Sequence, residues 1–440
     1  MKTEVLEQVK SLTDSLKGYK QTEVGLIPDD WEIMTLKEVA TYRRGSFPQP
    51  YGLDKWYDDI NGFPFVQVFD VDDNKLLKSE TKRKISVAAQ KMSVFAKKGS
   101  IVLTIQGSIG RLAITQYDSY IDRTLLLFES FLIKFDPYYF ATIISLLFQK
   151  EKENAPGGII KTITKEALSS FLISFPKLSE QTAIATALSD ADALIRSLVQ
   201  LIEKKKNIKQ GAMQELLTGK VRLPGFEIQQ GLKNTEIGPI STDWDLKLLG
   251  DCLMKSPDYG INAAAVNYNS DLPTYLRITD ISDEGKFVSM NKVSVDNLYS
   301  RNYYLEDDDI VFARTGASVG KSYLYNIKDG LLVFAGFLIR IKLNSHILIP
   351  RFLKYFSQTP VFWNWVLTNS MRSGQPGINS SELKSLLIKM PNSVKEQKAI
   401  CDILDSMDEE ISILQLKLNK YNCIKQGMMQ NLLTGKIRLI

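Results

Sequence analysis

Four patterns in this chain carry residue types that could do chemistry, and each falls short of it. Asp136-Pro137-Tyr138-Tyr139 is close to the Asp-Pro-Pro-Tyr of adenine methyltransferases. It lacks the second proline, and no glycine-rich S-adenosylmethionine loop lies upstream. Its counterpart later in the chain, Ile349-Pro350-Arg351-Phe352, reads as a helix start with proline in the first turn. Gly316 to Lys321-Ser322 has the look of a phosphate-binding loop, but one residue too few separates its glycines. Pro257-Asp258 followed by Glu284-x-Lys286 fits a loose nuclease pattern that is common by chance. The first half offers only Asp73-Asn74-Lys75 there, without the glutamate. His346 is the only histidine, which argues against a Ser-His-Asp triad or a histidine-rich metal site; it reads as a surface or helix-capping residue. The expectation is a chain with no catalytic residues and no metal site.

Composition narrows the class. The chain has 440 residues, 44% hydrophobic and 24% charged, as in an ordinary globular protein, and is long enough for more than one core. The net charge of +5 is mildly basic; it permits nucleic-acid binding without arguing strongly for it. No apolar run approaches the roughly 18 residues of a membrane span. Met1-Lys2-Thr3-Glu4 does not open a signal peptide, so a cytoplasmic location is expected. Cys252, Cys401 and Cys423 are odd in number and none is in a Cys-x-x-Cys pair, which reads as reduced thiols.

The elements that would position any site are written twice. Glu180-Gln181, Ala183-Ile184 and Leu188 return as Glu396-Gln397, Ala399-Ile400 and Leu404, 216 residues later. Leu216-Leu217-Thr218-Gly219-Lys220 returns as Leu432-Leu433-Thr434-Gly435-Lys436 at the same offset. Thr22-Glu23-Val24-Gly25 with Trp31 matches Thr235-Glu236-Ile237-Gly238 with Trp244. Two like halves imply a pseudo-two-fold internal repeat.

After each Glu-Gln pair the apolar residues are spaced 4-3-4-3-4: Ile184, Leu188, Ala191, Ile195, Leu198, Ile202, then Ile400, Leu404, Met407, Ile411, Leu414, Leu418. That is a coiled-coil seam. No proline interrupts residues 179–217 or 395–433, and Gly219 and Gly435 are C-cap candidates. Each predicted helix would be ~58 Å long at about 1.5 Å per residue. If the second pairs with the first, chain order makes them antiparallel, with one globular block at each end. Residues 1–20, with Val5, Val9, Leu12 and Leu16, predict a short N-terminal helix.

Residues 21–176 and 232–391 hold short β-rich runs, such as Phe63–Val68, Ile101–Ile105, Thr274–Ile278 and Ile310–Ala313, separated by turn residues. The blocks align piecewise. Val66-Gln67-Val68-Phe69-Asp70 matches Leu276-Arg277-Ile278-Thr279-Asp280, and Gln106–Arg111 matches Gly316–Lys321. Arg111 and Arg314 are read as standing at corresponding strand-loop elements. The expected fold is α+β: two mixed α/β domains separated by two long antiparallel coiled-coil helices. The boundaries are 1–20 (N-terminal helix), 21–176 (first domain), 177–220 (first long helix), 221–391 (linker and second domain) and 392–440 (second long helix).

The Glu-Gln helix starts, paired Leu-Leu-Thr-Gly-Lys tails, Gly-x-x-Gly-Arg/Lys elements and Thr-Glu-Ile-Gly…Trp blocks resemble the specificity (S) subunit of type I restriction-modification systems. The resemblance covers nearly the whole chain. It implies two target-recognition domains, each reading one half of a split DNA sequence, with no catalytic residue in this chain. The helices would dock two methyltransferase (M) subunits, marked by Glu180, Gln181, Glu396 and Gln397. Restriction (R) subunits complete the implied enzyme. S-adenosylmethionine, ATP and magnesium are expected on the partner subunits and none here. A coiled-coil adaptor with two protein-binding heads is the main rival reading; an enzyme is the second.

DNA contact needs cations and hydroxyls for phosphates, and Arg, Asn, Gln or aromatic residues for bases. In the first block these are Arg43, Arg44, Gln49, Tyr51, Gln106, Ser108, Arg111 and, beside Gly157-Gly158, Lys161. In the second they are Lys255, Tyr259, Asn262, Asn267, Arg314, Ser318, Lys321, Arg372 and Gln375.

Overall fold

The repeated sequence blocks are two halves of one joint. A computed structural model describes residues 18–72, 75–154, 163, 165–226, 231–288, 290–372 and 374–440. It divides into two units, one of the chain up to Val199 with Leu416–Ile440, the other Gln200–Gln415. In the first unit the tail glycine Gly435 sits against Trp31, which is fully buried. In the second, Gly219 sits against Trp244, 1% exposed. Both glycines have φ +70°, so the left-handed turn past the last leucines is what brings the tail onto the indole. An arginine three residues on locks each tail. Arg438 forks onto Glu180 (2.7 and 2.7 Å) and Asp30, and Arg222 forks onto Glu396 (2.7 and 2.9 Å) and also binds Asp243.

The glutamine of each Glu-Gln pair makes the next connection. The Asp136 N–H donates to Gln181 Oε1 (3.1 Å), and the Ile349 N–H donates to Gln397 Oε1 (3.0 Å). Each of these residues begins a helix, Pro137–Asn154 and Pro350–Phe356. Asp136 Oδ1 also accepts the N–H groups of Tyr138 and Tyr139 (2.9 and 3.0 Å), so the methyltransferase-like motif is a helix cap.

Each unit carries two four-stranded sheets, of which the antiparallel one has the same order in both. In the first, Arg83–Ile85, Phe63–Val66, Ser119–Ile121 and Val94–Ala96 form one, with the middle pair parallel. Ala40–Arg44, Leu125–Phe131, Ile101–Thr104 and Leu112–Ile114 form the other, all antiparallel. In the second unit the antiparallel sheet is Asp258–Tyr259, Leu338–Ile341, Ile310–Ala313 and Ser322–Leu324. Its mate runs Val266–Asn267, Val293–Ser294, Thr274–Leu276, Leu332–Phe334, with the last two parallel. The α+β expectation of two repeated domains holds.

The long helices are Leu178–Leu216 and Val394–Leu432. Their heptad seams serve two partners, where one was expected. Ile184 and Leu188 are fully buried in the core of the first unit with Trp31, Tyr139 and Phe140; Ile400 and Leu404 do the same beside Trp244 and Phe352. Further along, the seam runs beside the other long helix. Asp192 pairs with Lys425 in the first unit, and Asp408 with Lys209 (2.6 Å) in the second, again at the 216-residue offset. The N-terminal helix expected over 1–20 lies outside the described residues through position 17, and Tyr19 and Lys20 are already strand.

Candidate nucleic-acid interface

Where the two sheets of a unit meet, three backbone segments converge: the end of the parallel strand, the exit of the antiparallel central strand, and the turn between the two sheets. Hydrogen bonds establish the correspondence. The Asp122 N–H donates to the Val66 carbonyl and that of Ala335 to Leu276, both at 3.0 Å. The Ile105 N–H donates to Thr124 (2.9 Å), and that of Arg314 to Phe337 (3.0 Å). Gly45 and Gly260 press so close to the facing strand that a Cβ on either would lie 2.2 Å from a carbonyl oxygen.

In the second unit this seam is a recess of about 730 Å³ lined by Tyr259, Asn262, Arg277, Thr279, Arg314 and Phe337 among others. The Arg314 guanidinium lies 4.6 Å from the Tyr259 ring centre. Its Nε is buried and has no hydrogen-bond partner among the described residues. Tyr259 Oη accepts the Ser380 N–H (3.1 Å). Burial pushes the Tyr259 phenol up, but the hydrogen bonds from Ser380 and the charge of Arg314 outweigh it and hold it below its ordinary value. Arg277 is tied to Asp280 (2.9 and 2.7 Å), whose other bond caps the turn.

In the first unit the same slots hold different residues. Tyr51 Oη accepts from Gln67 (2.6 Å), the Arg123 guanidinium lies 5.1 Å from the Tyr51 ring, and Arg44 Nε donates to the Arg123 carbonyl (2.5 Å). Gln49 Oε1 accepts the Tyr51 N–H (3.2 Å). Burial and then the negative Asp122 raise the Tyr51 phenol well above its ordinary value, opposite to Tyr259.

The structure therefore brings together Arg44, Gln49 and Tyr51 in one unit and Tyr259, Asn262 and Arg314 in the other. Gln106 and Ser108 are exposed on the turn whose Gly107 packs on Val68, and Gln375 lies against the matching Gly316, two residues before Ser318. The remaining candidates stand apart. Arg43 faces away from Arg44, toward Glu129 (3.5 Å). Lys255 pairs with Asp258 (3.3 Å), Lys321 with Asp283 (2.7 Å), and Arg372 with Glu382. Asn267 is exposed on a short strand. Lys161, with Gly157 and Gly158, lies outside the described residues.

Three readings need correction. Arg111 and Arg314 do not correspond. The Thr104 N–H donates to the Arg111 carbonyl and that of Ala313 to Lys321, so Arg111 matches Lys321, and Arg314 matches Ile105. Glu180, Gln181, Glu396 and Gln397 are at most 5% exposed and fully bonded inside their own units, so these side chains are joints and cannot themselves dock a partner. The Gly-x-x-Gly spacing holds only at Gly107–Gly110; its counterpart Gly316–Gly320 has three residues between its glycines, and both are tight turns between strands whose second glycine is pinned. A Cβ on Gly110 would lie 2.8 Å from Phe148, and one on Gly320 would lie 2.9 Å from Val366. Gln67, Arg123, Arg277 and Thr279 were missed. A polar residue second in each otherwise similar anchor (Gln67, Arg277) was the available signal; Arg123 had none.

The nuclease-like Asp258 is bound by Arg340 (3.1 and 2.6 Å), while Glu284 faces Lys206 (3.9 Å). His346 is exposed in a turn. Among the described residues no cluster of three or more His, Cys, Asp or Glu could hold a metal, and no helix is long and apolar enough to cross a membrane.

Fold and sites define a duplicated α+β protein with a polar, aromatic seam between the sheets of each repeat, which in the second repeat opens as a recess. The model of the type I restriction modification DNA specificity domain matches residues 28–210 and 244–421, and the chain belongs to that family. It is 27% identical to the putative type I restriction enzyme MjaX specificity subunit of Methanocaldococcus jannaschii, covering 96% of this chain and 97% of that one. It is 24% identical to the MjaVIII specificity subunit of the same organism (96% of each) and 22% identical to the EcoKI specificity subunit of Escherichia coli K12 (94% and 90%). Its fold is similar to the crystal structure of the type I restriction-modification S subunit from M. genitalium, with TM-score 0.57, 14% identity and coverage of 91% and 96%. A chain solved in work on assembly of the type I R-M system gives TM-score 0.51 at 14% identity, covering 93% and 99%.

Proposed function

We propose that this chain is the DNA-specificity subunit of a type I restriction-modification enzyme, in which each domain reads one half of a bipartite duplex target. It is a recognition subunit and does no chemistry itself. Two methyltransferase subunits and restriction subunits would assemble on it in the cytoplasm, bringing S-adenosylmethionine, ATP and magnesium. The two long helices would act as an antiparallel coiled-coil spacer; the Asp192–Lys425 and Asp408–Lys209 pairs support that reading, because both fit one antiparallel register. The observation that carries the proposal is the pair of corresponding seams between the sheets, alike in backbone and unlike in side chains, as two readers of different half-sites would be.

Duplex binding by the full chain with its methylation subunit tests it. The expected result is a bipartite site bound with affinity that falls steeply with salt, and adenine methylation that requires this chain. An adaptor for proteins would release no counterions and show no such slope. Methyl transfer by this chain alone would overturn the non-catalytic reading.

A further inference from the structure

The candidate cations are not equivalent once their partners are named. In the second domain Lys255, Lys321 and Arg372 each face a carboxylate, and Arg277 is forked onto Asp280. Arg314 faces none among the described residues; it lies on Tyr259 in the recess. In the first domain Arg43 faces Glu129, and Arg83, although it lies 3.7 Å over Tyr57, is bonded to Asp59 (3.1 Å). Arg123 has no carboxylate partner among the described residues; it lies on Tyr51, which is itself held by Gln67. Each recognition domain thus keeps one arginine over a tyrosine ring with no carboxylate partner among the described residues.

The two arrangements come from different backbone positions. Arg123 occupies the slot of Gly336, and Arg314 the slot of Ile105. The shared chemistry is not a by-product of the duplication.

A guanidinium backed by a ring presents its edge, and its fork matches an acceptor pair in one plane. Phosphate is served as well by a flexible lysine, which needs no backing ring. The acceptor pair that fits a planar fork on a base edge is O6 and N7 of guanine. Arg314 Nε is buried, so its two terminal nitrogens form the fork. The apolar walls given by Ala263, Ala335 and Phe337 would exclude water from those bonds.

We infer that Arg123 and Arg314 are the base-reading residues of the two domains, and that each reads a guanine in its own half-site. This rests on the DNA-specificity reading of the chain. Arg44, Arg277 and Lys321 are thereby left to hold phosphates or the fold.

The test is selection from a randomised duplex library by the full chain in complex with its methylation subunit. Wild-type complex should return a two-part motif with a fixed guanine, on one strand or the other, in each part. Arg314→Lys should relax one guanine in one part only, and Arg123→Lys one guanine in the other. Lysine retains the charge, so a role in phosphate binding or in folding would leave the motif intact. In the selected duplex, replacing that guanine by 7-deazaguanine should weaken wild-type binding by about 10-fold, because the N7 acceptor of the fork is lost while O6 remains. The same replacement should leave the matching lysine variant unaffected. A library that returns no motif would overturn the DNA-specificity reading and this inference with it. A clear motif whose guanines survive both substitutions, or that loses the same position in both, would overturn the inference alone.

Discussion

The two recognition domains share a skeleton and disagree about what fills it. At the centre of the antiparallel sheet the first domain has Leu127 where the second has Arg340. Arg340, 6% exposed, is bonded to Asp258, Asp309 and the Tyr304 carbonyl; the matching residues in the first domain are Arg43 and Ser100 for the two aspartates. Ile105 stands where Arg314 does, and Lys75, with φ +62°, where Gly285 does. The joints show no such drift: Glu180 and Glu396, Gln181 and Gln397, Trp31 and Trp244 keep the same partners in both copies. What differs is the sheet interior and the seam where base readers would project. What is kept is the attachment to the helices.

The largest effect expected from breaking this symmetry is at a joint. Arg222 is 6% exposed at its side chain and holds Glu396 and Asp243, 4% and 11% exposed. Arg222→Ala leaves the buried Glu396 carboxylate without its cation and should cost the second unit about 3–5 kcal/mol in denaturant unfolding. Arg438→Ala should cost less, about 1–3 kcal/mol, because Arg438 is 21% exposed and its partner Asp30, half exposed, is screened by water. Equal losses at the two sites would mean that burial does not set the strength of the joint.

The joints are legible in the sequence because their motifs are duplicated. Leu-Leu-Thr-Gly-Lys and Thr-Glu-x-Gly…Trp recur because they touch each other, and a contact kept twice leaves its residues twice in the chain. The long helices follow from leucine spacing and the absence of proline. The seams between the sheets are only half legible. Tyr51, Arg44, Tyr259 and Arg314 stand out by type, but their meeting depends on strand crossings that no local spacing encodes. Arg123 sits in a stretch whose counterpart, Ala335 to Phe337, shares no residue type with it, so the repeat does not flag it. The Glu-Gln pairs mislead for the opposite reason: repeated polar residues at a helix start suggest a docking surface, whereas burial shows them tying the helix to its own domain.

A second break exchanges the sheet interiors. Arg340→Leu copies the first domain but takes one of two cations from Asp309, whose side chain is 1% exposed and keeps Lys342 (3.3 Å) and the Glu306 N–H (3.0 Å). A loss of about 1–3 kcal/mol is expected. Adding Asp309→Ser, which copies Ser100 as well, should recover most of it; unfolding midpoints of the single and double variants decide. No recovery would mean that the two interiors are not interchangeable solutions on one skeleton.

A third effect should be the same on both sides. Gly110 and Gly320 have φ +88° and +89° and press on Phe148 and Val366. Alanine at either should cost about 1–3 kcal/mol, from strained backbone and overpacking. Thermal melts of Gly110→Ala and Gly320→Ala should shift alike, whereas Arg123→Lys and Arg314→Lys should scarcely shift at all. A large melt shift in the lysine variants would make those arginines structural.

One measurement tests most directly whether the kept skeleton and its two unlike seams are two independent readers. Residues 21–176 are replaced by the first block of another specificity subunit, and the chimaera is assembled with its methylation subunit. The methylated motif is then mapped on genomic DNA. The account predicts that one half of the motif changes and the other half stays base for base. A motif changed in both halves, or in neither, would contradict it.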